Sequence, residues 1–167
     1  NWKVDWASGD AFNGYVLQRR LGEGASGETW LATKDTDQAL HALKFVREDR
    51  QDALEGEQLG AKVVGKNIVA PFFQMKESVD GNTILALVSS YVEGDTLHQW
   101  GLDRRNAPEG MLEDLRKIAQ DSAESLELVH QSGYVHCDVS GSNIIWTGRD
   151  AKLIDFGLAR KVGRRLL

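Results

Sequence analysis

Val135-His136-Cys137-Asp138-Val139-Ser140-Gly141-Ser142-Asn143, with Asp155-Phe156-Gly157 shortly after it, is the stretch that decides the reading of this 167-residue chain. It sets a carboxylate able to orient a hydroxyl, Asp138, just ahead of an amide, Asn143. A second carboxylate, Asp155, is able to hold a divalent cation. Such a set suits phosphoryl transfer, which needs little covalent help from a protein and much positioning and charge neutralisation. The His-x-Asp-x-x-x-x-Asn spacing has a chance expectation of roughly 0.01 in a chain of this composition, so it carries information that a lone Asp beside a turn does not.

The upstream sequence adds to this. Gly22-Glu23-Gly24-Ala25-Ser26-Gly27 separates two stretches that read as strands, Tyr15 to Leu21 and Glu28 to Lys34. His41-Ala42-Leu43-Lys44-Phe45-Val46 follows as a short alternating strand with a lysine inside it. Glycine makes up 17 of the residues, so the glycine pattern alone would be weak. Asp49 to Val64 reads as a helix through Ala53, Leu54, Leu59 and Val63, weakened by Gly56, Gly60 and Gly65. Strands from Val69 to Lys76 and Thr83 to Ser89 flank the Asp80-Gly81-Asn82 turn. Glu109 to Gln131 is the clearest helix, with Leu112, Leu115, Ile118, Ala119, Ala123, Leu126 and Val129 as one apolar stripe and Gly133 as its stop. Short strands near Ile144 to Thr147 and Ala151 to Ile154 close the pattern.

Taken in order, these motifs resemble those of the eukaryotic-type protein kinase family, from about Tyr15 to Arg160. The resemblance implies an α+β, protein-kinase-like bilobal fold. A flanking segment (1–14) would lead into an antiparallel-sheet N-lobe with one helix (15–92), followed by an incomplete helical C-lobe (93–167). It also implies ATP and Mg2+ as cofactors. Gly22, Gly24 and Gly27 would close the backbone over phosphates, where amides donate and side chains would clash. Lys44 would bring a cation to the phosphates, held by a helix glutamate. Glu55 is preferred to Glu57, because it places Leu59 one turn later. Thr29, Ala42 and Ile145 would contact the adenine, and Ser90 and Val92 would offer it backbone groups behind a Ser89 gatekeeper. Asp138 would orient the acceptor hydroxyl, while Asn143 and Asp155 would ligate magnesium. His136 is expected to pack beneath Phe156 rather than act as a base.

The sequence departs from the family in several places. Cys137 stands where the family carries an arginine, which puts control by loop phosphorylation in doubt. Ser140 stands where many serine/threonine kinases carry a lysine, and Thr29 stands for the usual valine. Asp155 lies close to the last residue, Leu167. The expectation is therefore a truncated or minimal form, with a protein substrate or partner chain, and a partner able to cover the incomplete C-lobe. Three readings follow: a serine/threonine protein kinase, a pseudokinase serving as a nucleotide-binding scaffold, and a small-molecule or RIO-like kinase.

Composition sets the remaining expectations. A net charge of −5 argues against binding nucleic acid through bulk charge, with Arg160-Lys161 and Arg164-Arg165 the local exception. One cysteine permits no intrachain disulfide. No apolar run is long enough to span a membrane, and the start does not read as a signal peptide, so the expected setting is cytoplasmic.

Overall fold

The computed structural model describes residues 5–24, 27–46, 50–79, 81–104 and 109–163. Ala25 and Ser26 of the glycine-rich loop, Asp49, Asp80, Arg164 and Arg165 lie outside the described residues. The chain divides into two compact units, residues 1–54 with 71–91, and residues 55–70 with 92–167.

The first unit is built on an antiparallel sheet of β1 (Ala11–Phe12), β2 (Tyr15–Gly24), β3 (Gly27–Lys34), β4 (Leu40–Val46), β5 (Phe73–Val79) and β6 (Asn82–Ser90). The strands lie in the order β1-β2-β3-β4-β6-β5. Side chains alternate between faces along a strand, and β3 and β4 show the consequence. Trp30, Ala32, Leu43 and Phe45 join Phe12, Tyr15, Leu17, Met75, Ile84, Ala86 and Val88 in one core. Trp6 stacks on Phe45 at 4.6 Å, and Phe12 meets Phe45 edge-on at 5.1 Å, so the N-terminal segment helps to close that core. The interleaved residues Thr29, Ala42 and Lys44 belong to the other face. A slip of one residue would exchange the two faces, so this core fixes the register of Lys44.

Helix α1 (Gln51–Gly60) begins in the first unit and continues into the second. The second unit also holds β7 (Asp95–Thr96), α2 (Leu97–Asp103), α3 (Met111–Gln131), β8 (Tyr134–Val135), β9 (Ile144–Trp146), β10 (Ala151–Leu153) and β11 (Arg160–Lys161). Its core gathers Val63, Trp100, Ile118, Val129, Ile144, Trp146, Ala151, Leu153, Phe156 and Ala159. Residues 55–70 belong here, whereas the sequence reading places them with the N-lobe strands. The bonds are specific: Leu153 N–H donates to the Asn67 carbonyl at 2.8 Å, and Val69 N–H donates to the Leu153 carbonyl at 2.9 Å. Strand β5 begins later than expected, at Phe73, and the helix stops at Gly60 rather than Val64.

Helix α3 buries part of the expected stripe, Ile118 and Val129 with Leu126 packed against them, and adds two polar residues to the inward face. Ile118, Asp121, Ser125 and Val129 are buried, while Leu112 is 66% exposed and Leu115 42%. The Asp121 carboxylate accepts the Ala151 N–H at 2.9 Å and pairs with Lys117. The Ser125 hydroxyl donates to the Asp121 carbonyl at 2.8 Å and approaches that of Asn67 at 3.3 Å. Gly133 (φ 79°) follows the Ser132 cap in the left-handed region, as the expected helix stop requires. Among the described residues, no helix is long and apolar enough to cross a membrane.

Candidate functional site

In the first unit, strand pairing lines up the phosphate-handling candidates. Gly22 is opposite Thr29, Thr29 opposite Lys44, and Lys44 opposite Leu87. Ala42 pairs with Ser89 and His41 with Ser90, the last residue of β6. The glycines differ in what demands them. A methyl carbon on Gly27 would stand 2.9 Å from the Phe45 carbonyl carbon, and closer still to its oxygen, so packing alone excludes a side chain there. One on Gly22 or Gly24 would meet nothing within 4 Å. The protein's own packing therefore gives no reason for glycine at those two positions.

In the second unit, the loop between β8 and β9 carries Asp138 and Asn143. The buried Asn143 donates from Nδ2 to both the Asp138 carbonyl, at 2.9 Å, and its Oδ2, at 2.8 Å. This turns the amide oxygen of Asn143 away from Asp138. The loop is held from several sides. Asn143 N–H donates to the Ser140 carbonyl, Ile154 N–H to the Asn143 carbonyl, and His98 N–H, at the start of α2, to the Gly141 carbonyl. Ile145, in β9, pairs with Thr96 and Lys152. Val92 lies just after the division that follows Tyr91.

His136 joins the loop to the Asp-Phe-Gly turn. It is 1% exposed, its ring centroid lies 4.8 Å from that of Phe156, and its Nε2 lies 3.1 Å from the Ile154 carbonyl. Asp138 N–H donates to Nδ1 at 3.3 Å. An acceptor at Nδ1 and a donor at Nε2 describe the neutral tautomer. Burial pushes the imidazole below its ordinary value of 6.5, against the opposing pull of the Ile154 carbonyl, Asp155 and Asp138. The ring is thus packed and neutral between the loop and the turn.

Asp155 sits at φ 58° and Cys137, beside Asp138, at φ 63°. Left-handed backbone costs a residue with a side chain about 1–2 kcal/mol, so both require surrounding structure that holds them. Gly157 N–H donates to Asp155 Oδ1 at 3.1 Å, and Ala159 N–H to the Phe156 carbonyl at 2.8 Å. β11 then pairs with β8, Arg160 opposite Val135.

The two glutamates separate. Glu55 is exposed, whereas Glu57 is 2% exposed and accepts the Phe156 N–H at 3.3 Å. Glu57, and not the Glu55 preferred from sequence as the lysine's partner, is the glutamate that the helix turns toward the Asp-Phe-Gly turn. Sequence reading also treated Gly56 and Gly60 only as helix-weakening. Both are buried beside Phe156, and two glycines one turn apart in a helix were the signal available. It gave no weight to Asp121 either, whose backbone partner, Ala151, lies 30 residues along the chain.

A glycine-rich strand pair, a strand lysine, a catalytic-type loop and an Asp-Phe-Gly turn, in this order, define the protein kinase fold. The protein kinase domain family matches residues 15–166, and the chain belongs to that family. It is similar to the Corynebacterium efficiens serine/threonine-protein kinase drp72, with 28% identity over 87% of this chain and 29% of that protein. It is also similar to the Streptomyces coelicolor serine/threonine-protein kinase PksC, with 32% identity over 85% of this chain and 27% of the relative. Among solved structures, the PknI kinase domain of Mycobacterium tuberculosis superposes with a TM-score of 0.70 at 29% identity, covering 92% of this chain and 62% of that one. The chain thus spans less than a third of either curated relative and under two thirds of the solved kinase domain.

Proposed function

We propose that this chain carries an ATP- and magnesium-dependent phosphotransferase site that acts on serine or threonine hydroxyls of a protein substrate. The observation that carries the reading is the double hold of Asn143 Nδ2 on Asp138. It fixes the carboxylate that would orient the acceptor hydroxyl and leaves the Asn143 amide oxygen to face a cation. Asn143 and Asp155 supply hard oxygen donors, which fit magnesium, an ion that keeps waters and phosphate oxygens as its remaining ligands. Bound magnesium would neutralise charge on the phosphates. Lys44 holds phosphate oxygens, the amides around Gly22 and Gly24 approach them from the other strand pair, and Glu57 orders the Asp-Phe-Gly turn. Thr29, Ala42 and Ile145 take the adenine ring, with the backbone of Ser90 and Val92 reading its edge. The names of the relatives support serine/threonine as the acceptor class.

Asp138→Ala is expected to keep nucleotide affinity within about twofold and to lower transfer by at least 100-fold, because the group acts on the acceptor and not on ATP. Transfer retained in that variant would overturn the assignment. A second reading, a nucleotide-binding scaffold with little transfer, is favoured by Cys137 and Ser140, which replace two cations of the family pattern. It predicts binding without transfer in the unaltered chain.

A further inference from the structure

Helix α1 meets the Asp-Phe-Gly turn with its backbone. A methyl carbon on Gly60 would stand 2.5 Å from Phe156 Cβ and 2.8 Å from Cδ1, and closer still to Cγ. One on Gly56 would stand 2.7 Å from the Gly157 carbonyl oxygen, and closer still to that of Phe156. Between the two glycines, Glu57 takes the Phe156 N–H. Phe156 is fully buried, with its ring against His136 on another side. The residue is therefore bounded at its ring, its N–H and its carbonyl. Glycines weaken a ten-residue helix, and both glycines of α1 lie where the helix meets this turn.

We propose that Gly56 and Gly60 are positioning residues for Asp155. By letting the helix backbone lie directly on Phe156 and Gly157, they fix the place of the carboxylate one residue earlier in the chain. Asp155 holds a left-handed conformation that an L residue keeps only under constraint, so its aim depends on where Phe156 is seated. Close-packed surroundings do not absorb an added methyl by compression; either the helix moves away or Phe156 leaves its seat. In both cases Asp155 is displaced. The proposal rests on the phosphotransfer reading, since it gives Asp155 consequence through magnesium.

The test is equilibrium binding of ATP to this chain by calorimetry, in excess magnesium and again in chelator, with melting of the nucleotide-free chain measured alongside. Gly60→Ala should weaken binding at least tenfold in magnesium and less than twofold in chelator. Gly101→Ala, in α2 with nothing within 4 Å of the new methyl, is the control for a glycine-to-alanine change in a helix and should alter neither. Phe156→Ala removes two of the three atoms that the Gly60 methyl meets. In that background Gly60→Ala should cost less than a third of its effect alone, a coupling that helix propensity does not produce. Unchanged magnesium dependence in Gly60→Ala, or strictly additive effects, overturns the proposal. If Gly60→Ala alone does not melt cooperatively, the double variant decides: recovered cooperative folding shows that the added methyl acts through the Phe156 ring and supports the proposal, and its absence overturns it. An unaltered chain whose ATP affinity ignores magnesium is a separate failure, that of the phosphotransfer reading, and removes the proposal with it.

Discussion

At the scale of single residues, His136 and Glu57 show how burial selects one chemical state. His136 is held as a neutral ring by an N–H donated to Nδ1 and a carbonyl facing Nε2, and protonating Nδ1 would set two donors against each other. Its folded pKa lies below 6.5, so the unfolded chain takes up a proton first as the solution is acidified. Stability is expected to fall as pH drops through about 6.5, until the folded value is reached. Asp150 is displaced downward from 3.8, chiefly by its hydrogen bond with Lys66, so its contribution is lost only at lower pH, below its unfolded value. Imidazole proton shifts in an NMR titration check the first claim; a His136 pKa at or above 6.5 would refute it. For the glutamates, Glu57→Gln should cost about 1–2 kcal/mol, since it weakens a buried charge-assisted bond. Glu55→Gln, on the exposed side, should stay within about 0.5 kcal/mol. Denaturant melts of the two variants decide the order. The family's motifs were legible because they depend on local spacing. The burial of Glu57 was not, because α1 buries Gly56 and Gly60 beside it, where a periodicity reading looks for large apolar residues.

At the scale of elements, α3 carries the clearest lesson. Its sequence offers leucines at 112 and 115 to the core, yet the fold buries Asp121 and Ser125 and leaves those leucines exposed. Each buried polar group meets a backbone group from a distant part of the chain: Ala151 N–H for Asp121 and the Asn67 carbonyl for Ser125. An apolar side chain cannot satisfy an amide at the start of β10, so Asp121 and Ser125 share the inward face with Ile118 and Val129. Such partners are long-range and leave no periodic trace in the sequence. Asp121→Ala would orphan the Ala151 N–H and remove the Lys117 partner, at a cost of about 1–3 kcal/mol. Asp121→Asn keeps an acceptor and should cost less. Leu112→Gln, by contrast, should lie within about 0.5 kcal/mol. Urea melts of the three variants test these roles directly, and a large loss for Leu112→Gln would show that the exposed leucine carries stability. In the first unit the reading was easier: alternation in β3 and β4 separates Trp30, Ala32, Leu43 and Phe45 from Thr29, Ala42 and Lys44 without any distant information.

At the scale of the whole molecule, the order of motifs was enough to identify the family, while the division of the chain was only partly visible. A composition shift near Val92 marks one crossing between the units, but nothing local marks Leu54 or Ala70 as the other two. Those boundaries follow from the bonds of Asn67 and Val69 to Leu153, which only the folded chain reveals. Lys44 lies in one unit and Asn143 and Asp155 in the other, so the proposed role of each is tested by its own substitution. Any ligand selective for the native chain raises its stability by RT ln(1 + [L]/Kd), about 2.7 kcal/mol at a hundred times Kd. ATP with magnesium should therefore raise the melting temperature of this chain by several degrees, with most of the shift abolished by chelator. Lys44→Ala should reduce the shift while leaving the nucleotide-free melt nearly unchanged, because a lysine on a half-buried strand face contributes little to the core. Asp155→Asn should remove the dependence on magnesium in particular, since it weakens a cation ligand without emptying the strand face where Lys44 lies. A shift that survives both substitutions would place nucleotide binding elsewhere on the molecule and overturn the residue assignments together.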